Sequence, residues 1–146
     1  MEDNEIKLLT RLFQDAEIGM ISIDKVIKKI EDSAIRKMFI KQYEAYDKFK
    51  ERCDVLAVNS EIELKENSAM KKFKQTAMVY LSLWKDKSCR HIIEMMITGT
   101  FMGIVDTIKT RTDCGVVSPE LSVLVADFQK MQEDFYEKLK KQLAKV

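Results

Sequence analysis

The sequence predicts an all-α protein in which four long helices pack as a bundle. Its 146 residues include one proline and four glycines, so it has little of the turn chemistry that an all-β fold requires. Apolar residues make up 46% of the chain. They recur at alternating spacings of three and four, a pattern typical of buried helix faces. The length favours a single domain, residues 1–146, whose core needs neither disulfides nor a structural metal.

Composition also restricts the expected partners and location. Lysine and arginine number 25 and aspartate and glutamate 24, and a net charge of +1 gives no broad field for nucleic acid or an anionic membrane. The acidic start does not resemble a secretory signal, and no apolar run is expected to span a bilayer. Cys53, Cys89 and Cys114 lack CxxC spacing and suit reduced thiols. We therefore expect a cytoplasmic protein that binds neither nucleic acid nor membrane.

The first helix is predicted at about 4–31. Asp3 or Asn4 is expected to cap its start, and Gly19 would let a neighbouring helix come close because it has no Cβ. Its apolar residues follow a seven-residue repeat. These residues are Ile6, Leu9, Phe13, Ala16, Met20, Ile23, Ile27 and Ile30.

The second helix is predicted at about 34–58, after a break at Asp32 and Ser33 that contains an N-cap and allows only an antiparallel return. Its repeat consists of Ile35, Phe39, Gln42, Tyr46, Phe49, Cys53 and Leu56. A long connection with its own amphipathic helix, at about 68–85, then predicts that the next long helix runs parallel to the second.

The remaining helices are predicted at about 88–112 and 119–145. Gly115 is placed to take a left-handed conformation after the first of them, and Ser118 and Pro119 are typical of the N-cap and first position of the second. Its inward positions are predicted to be Leu121, Val125, Phe128, Gln132, Phe135, Leu139, Leu143 and Val146.

The helix at 88–112 is apolar on nearly every side, which predicts that it lies in the middle of the bundle. Glu94 interrupts one of its apolar faces, so a buried partner is expected for that carboxylate. Gln42 and Gln132 occupy core positions in the neighbouring repeats. The three side chains together predict a buried polar layer, in which the glutamines fix the register of the helices.

Two antiparallel helix pairs joined by a long crossover make a ferritin-like four-helix bundle. The chain resembles the small, mostly uncharacterised bacterial proteins of the ferritin-like superfamily. Three segments carry the resemblance: Gln14–Met20, Arg36–Tyr46 and His91–Ile104. It covers nearly the whole chain and implies the fold more specifically than the function.

The resemblance also implies a place for metal, because ferritin-like proteins hold two metals with carboxylates and Glu-x-x-His motifs. In this sequence the matching positions are Glu17, Glu44, His91 and Glu94, with iron or manganese as the implied metal. Asp47 stands where the second helix would carry histidine, and the last helix has no Glu-x-x-His. The complete di-iron ligand set is therefore missing.

Three functions follow as hypotheses. The first is a non-enzymatic bundle with a structural or protein-interaction role, as a homodimer that uses the helix from Met70 to Trp84. The second is a degenerate carboxylate site for iron or manganese. The third is a binder of hydrophobic small ligands, in a cavity left by Gly19, Gly99 and Gly103.

Overall fold

A computed structural model of the protein describes residues 1–64 and 88–146. Within these ranges the chain is helical and has no strand, which confirms the all-α prediction for this part of the chain. The predicted helix at 68–85, the Met70 to Trp84 surface and the crossover lie outside the described residues. The four long helices are α1 (Asp3–Val26), α2 (Ser33–Asn59), α3 (Cys89–Cys114) and α4 (Pro119–Leu143).

Side chains cap the starts of three helices, and two of these caps, at α2 and α4, were predicted. Asp32 accepts hydrogen bonds from the backbone N–H groups of Ala34 and Ile35 and so caps α2. Ser88 and Ser118 cap α3 and α4 in the same way, each with its hydroxyl oxygen. These side chains satisfy donors that have no partner inside the helix.

Two predictions about α1 are wrong. Its N-cap is Glu2, whose side chain makes no capping hydrogen bond, and not Asp3 or Asn4. The α-helix also ends at Val26, because the chain tightens into a 3-10 turn over Ile27–Lys29. The Arg36 guanidinium donates to the carbonyl oxygen of Ile30, at the end of that turn.

The contacts between helices fix their directions. Gly19 lies against Tyr46, and Glu17 pairs with Lys50, so α1 and α2 are antiparallel. The Phe39 and Phe135 rings lie 5.7 Å apart and those of Phe49 and Phe128 4.4 Å apart, so α2 and α4 are also antiparallel. Further contacts make α3 antiparallel to α4, and α3 therefore runs in the same direction as α2.

One hydrophobic cluster holds the described helices together. Phe39, Phe128 and Phe135 are its largest fully buried side chains. The predicted stripe of α2 is buried from Ile35 to Cys53, and that of α4 from Leu121 to Leu139. Gly115 has φ 76° and ψ −128°, a positive-φ conformation that favours glycine but differs from the left-handed helical one predicted.

The position of α3 differs from the prediction, because one side of this helix faces solvent. Ile92, Ile93, Met96 and Ile104 are buried, but large apolar side chains on another face are not. We call this surface the outer α3 face; it consists of Thr98, Phe101, Met102, Val105 and Ile108. Their spacing of three and four places these residues on adjoining turns of one side.

Candidate functional site

The four predicted metal ligands do not come together in the structure. Glu44 is exposed on α2, and Glu17 lies on α1 in an ion pair with Lys50. His91 and Glu94 are neighbours on α3, with His91 Nδ1 3.3 Å from Glu94 Oε2. Within the described residues, no group of three or more His, Cys, Asp and Glu side chains is placed to hold a metal.

Glu17 shows why one of these positions is unsuited to a metal. Its side chain is only 13% exposed, and Oε1 lies 2.6 Å from Lys50 Nζ. The ammonium group also lies 5.0 Å from the centre of the Phe13 ring. A metal at Glu17 would have to displace a partly buried lysine that already balances the carboxylate charge.

Of the three side chains in the predicted polar layer, the two glutamines are buried and the glutamate is not. Gln42 and Gln132 are buried, and Gln132 Oε1 accepts a hydrogen bond of 2.9 Å from Thr107 Oγ1. The side chain of Glu94 is 44% exposed and pairs with Arg90 and His91 on its own helix. Glu94 is thus a surface residue, because its side of α3 faces outward. The α3 residue that contacts Gln132 is Thr107.

The three glycines of the cavity hypothesis face different surroundings. A Cβ at Gly19 would lie 2.4 Å from the Tyr46 ring, and one at Gly103 would lie 3.0 Å from Gln132 Nε2. Gly99 is exposed and would meet nothing within 4 Å. The close approach predicted at Gly19 is confirmed, but the three positions do not line one shared cavity.

The described surface also has a groove between α2 and α4. This groove has a volume of about 370 Å³ and is open to solvent. Met38, Met131 and Phe135 lie along it, and Lys41 and Lys138 are among the charged residues at its edge. It is a surface groove and not the enclosed apolar cavity that the sequence predicts.

A partly buried pair of carboxyl groups joins α1 to α3. The side chain of Asp15 is 11% exposed and that of Asp106 30%. Arg11 donates to both carboxylate oxygens of Asp106 at 2.9 Å, and its Nε lies 3.5 Å from Asp15 Oδ1. One guanidinium group therefore serves two carboxyl groups.

The pKa values of the two carboxyl groups are shifted in opposite directions. Burial and a hydrogen bond with Asp106 raise the pKa of Asp15 to about 8. Burial also acts to raise the pKa of Asp106, but its hydrogen bonds with Asp15 and Arg11 lower it overall. The pKa values move apart because two adjacent carboxylates repel each other, so that one of the two groups holds its proton more tightly.

Sequence reasoning missed this pair. Arg11 and Asp15 are four residues apart on one helix side, which predicts a local ion pair. Nothing in the sequence links them to Asp106, which lies about ninety positions further on. The nearest signal is that Asp15 stands directly before the core residue Ala16, at the edge of the apolar stripe.

The outer α3 face is the largest group of exposed apolar side chains on one described helix. Phe101 is 53% exposed, Met102 65%, Val105 38% and Ile108 44%. The Phe101 ring touches Tyr136 of α4 on one edge, with 6.2 Å between ring centres. Exposed patches of this kind mark contact surfaces, whereas single exposed apolar residues are ordinary.

The same helix bears on the expectation that no segment spans a bilayer. Among the described helices, α3 alone is long and apolar enough to cross a membrane by length and composition, so that expectation was too strict. About a third of its most apolar stretch (33%) is buried in the bundle. A core helix meets the same criterion, and so this property carries little weight.

No family model matches the chain, and comparisons with curated proteins and with solved structures found no match. The site must therefore be interpreted from its own geometry.

Proposed function

We propose that this protein is a non-enzymatic, ferritin-like helical bundle that acts by binding another protein through the outer α3 face. The main support is that Phe101, Met102, Val105 and Ile108 are exposed on a helix whose other side lies in the core. Burying these side chains in a complex would remove apolar surface from water, which is a main driving force of protein association.

The ferritin-like assignment is part of this proposal. Its support is the set of helix directions, in which α2 and α3 are parallel and each is antiparallel to both α1 and α4. A bundle with one long crossover connection has these directions. Because similar bundles carry unrelated activities, the function rests on the surface and not on the fold.

Photochemical crosslinking in the source cells tests the interaction. A photoreactive phenylalanine analogue is placed at Met102, and in a matched control at Val123, which is 56% exposed on α4. We expect a covalent adduct of defined mass from position 102 and none of that mass from position 123. Val105→Glu should abolish the adduct without changing the thermal midpoint of the protein.

Two results would overturn the proposal. One is the absence of any defined adduct at position 102, and the other is the same adduct at both positions. Circular dichroism of each variant shows whether the helices remain folded, so that a lost adduct reports the surface and not the fold.

A further inference from the structure

We infer that the occupant of the outer α3 face is a second copy of this chain, whose α3 packs antiparallel to the first across a two-fold axis. This inference rests on the proposed function, because it names the partner of the same surface. It follows from the order of residues along the face, from the charges at its two ends and from the hydrogen bonding of its polar member.

The positions on the face and at its two ends can be paired about a centre between Phe101 and Met102. Thr98 stands three positions before Phe101, and Val105 three positions after Met102. Glu94 stands seven positions before Phe101, and Lys109 seven positions after Met102. A surface of this kind can meet a copy of itself, since a two-fold axis brings each residue opposite the one at equal distance from the centre.

The terminal charges select the antiparallel direction. In an antiparallel pair, Glu94 of each copy lies near Lys109 of the other, so that two attractive pairs form. In a parallel pair, the two glutamates would face each other and so would the two lysines. Like charges at close range disfavour that arrangement and opposite charges favour the first.

These charged groups are accessible to a partner. The Glu94 side chain is 44% exposed and its contacts with Arg90 and His91 are local to α3. Lys109 is exposed as well. Neither position is part of the buried cluster, so a change of charge at either one leaves the bundle core untouched.

The centre of the face can be buried without leaving a polar group unpaired. Phe101 and Met102 would meet their own copies near the axis, and Val105 would lie opposite Thr98. The Thr98 hydroxyl already donates to the backbone oxygen of Glu94 at 3.2 Å. Its donor therefore has a partner before association, and burial leaves no new unsatisfied hydroxyl proton.

The predicted contact is short, and it should therefore be weak. From Glu94 to Lys109 the helix rises about 22 Å, at roughly 1.5 Å per residue. One helix pair of this length buries less area than a permanent dimer requires. We expect a dimer that forms with increasing concentration and that weakens with added salt, because its end charges are exposed.

A charge-reversal cycle tests the inference by sedimentation velocity over a range of protein concentrations. Wild-type protein should form dimers. Glu94→Lys and Lys109→Glu should each raise the dissociation constant about tenfold or more, since each places like charges together. The double variant should restore dimers, and Lys48→Glu, an exposed change on α2, should behave as wild type.

Disulfide trapping provides a second measurement, which detects the dimer directly and does not depend on a variant that weakens binding. In a Cys89→Ser background, Met102→Cys should form a disulfide-linked dimer on mild oxidation, and Val123→Cys should not. The remaining thiols, Cys53 and Cys114, are buried.

The outcomes separate this inference from the proposed function. Monomeric wild-type protein at high concentration, together with a crosslink from position 102 to a different protein, overturns the self-pairing and retains the interaction role. The antiparallel α3 contact is overturned if neither charge reversal changes the dissociation constant of the dimer and Met102→Cys forms no disulfide-linked dimer. A monomer without any crosslink at position 102 overturns both.

Discussion

The inner side of α2 and the outer side of α3 carry similar numbers of large apolar residues but have opposite environments. On α2, Phe39, Tyr46 and Phe49 are buried against the aromatic rings of α4. On α3, Phe101 and Met102 are more than half exposed. The opposite side of α2 is mostly charged, although Ile40, Val55 and Val58 are exposed on this helix, whereas the exposed apolar residues of α3 form one patch. A strongly amphipathic helix therefore has one way to bury its apolar surface, and a helix that is apolar all round needs more neighbours.

The sharpest test of this comparison truncates one side chain on each surface. Phe128→Ala removes a fully buried ring that packs on Phe49 and Tyr46. We expect the free energy of unfolding to fall by about 3–5 kcal/mol, because the change leaves a cavity. Met102→Ala should alter it by less than about 0.5 kcal/mol. Urea unfolding followed by circular dichroism measures both, and equal losses would contradict the distinction between the two surfaces.

A pair of glycine variants extends the test to backbone contacts. Gly19→Ala would place a Cβ 2.4 Å from the buried Tyr46 ring, and we expect it to destabilise the fold by about 1–3 kcal/mol. Gly99→Ala meets nothing within 4 Å and should stabilise α3 by about 0.5–1 kcal/mol, since alanine favours helices. The same denaturation measurement applies. Similar changes in the free energy of unfolding at the two positions would show that α1 and α2 are not closely packed at Gly19.

The partly buried carboxyl pair predicts a dependence of stability on pH. The pKa of Asp15 is raised to about 8 in the folded protein, above the value of about 4 expected when unfolded. Its contribution is thus fully present below about pH 4 and is lost as the pH rises through about 8. The lowered pKa of Asp106 acts in the opposite sense, but at pH values below its ordinary range.

Asp15→Asn should reduce this dependence, because an amide can donate to Asp106 without ionising. We expect the thermal midpoint at pH 8.5 to rise by about 4 °C, or roughly 1 kcal/mol, relative to wild type. The fall between pH 5 and pH 8.5 should also become smaller. Asp24→Asn, an exposed change on the same helix, is the control. An unchanged pH profile for Asp15→Asn would mean that the pKa of Asp15 is not raised in the folded protein.

The smallest effect is expected for metal binding. Glu17, Glu44, His91 and Glu94 lie apart, except for the last two, so we expect far less than one iron or manganese per chain after growth with both metals. Elemental analysis checks this, with Glu94→Ala as the comparison. Near-stoichiometric metal that Glu94→Ala removes would overturn the expectation and make α3 a ligand-bearing helix.

The predictable part of this molecule is the part in which one helix face decides the packing. In α2 and α4 the aromatic residues of the core follow a single stripe, so its periodicity identifies Phe39, Phe128 and Phe135 as core. The starts of α2 and α4 were also predictable, because Asp32 and Ser118 act through local hydrogen bonds.

The unpredicted features depend on contacts between distant residues. Periodicity could not decide which side of α3 would be covered, since both sides are apolar. For the same reason Glu94 was assigned to the interior although it lies on the surface. The partnership of Asp15 with Asp106 required the packing of α1 on α3, which no local pattern in either helix specifies.

One hydrogen bond connects the first turn of α1 to the start of α4. The backbone N–H of Ser118 donates to Glu5 Oε2 at 3.0 Å, so a carboxylate from α1 lies at the start of α4. Removing the first five residues would expose that end of α4 to fraying. During synthesis, moreover, Glu5 leaves the ribosome long before Ser118. The first helix therefore reaches this partner only after the start of α4 has been translated.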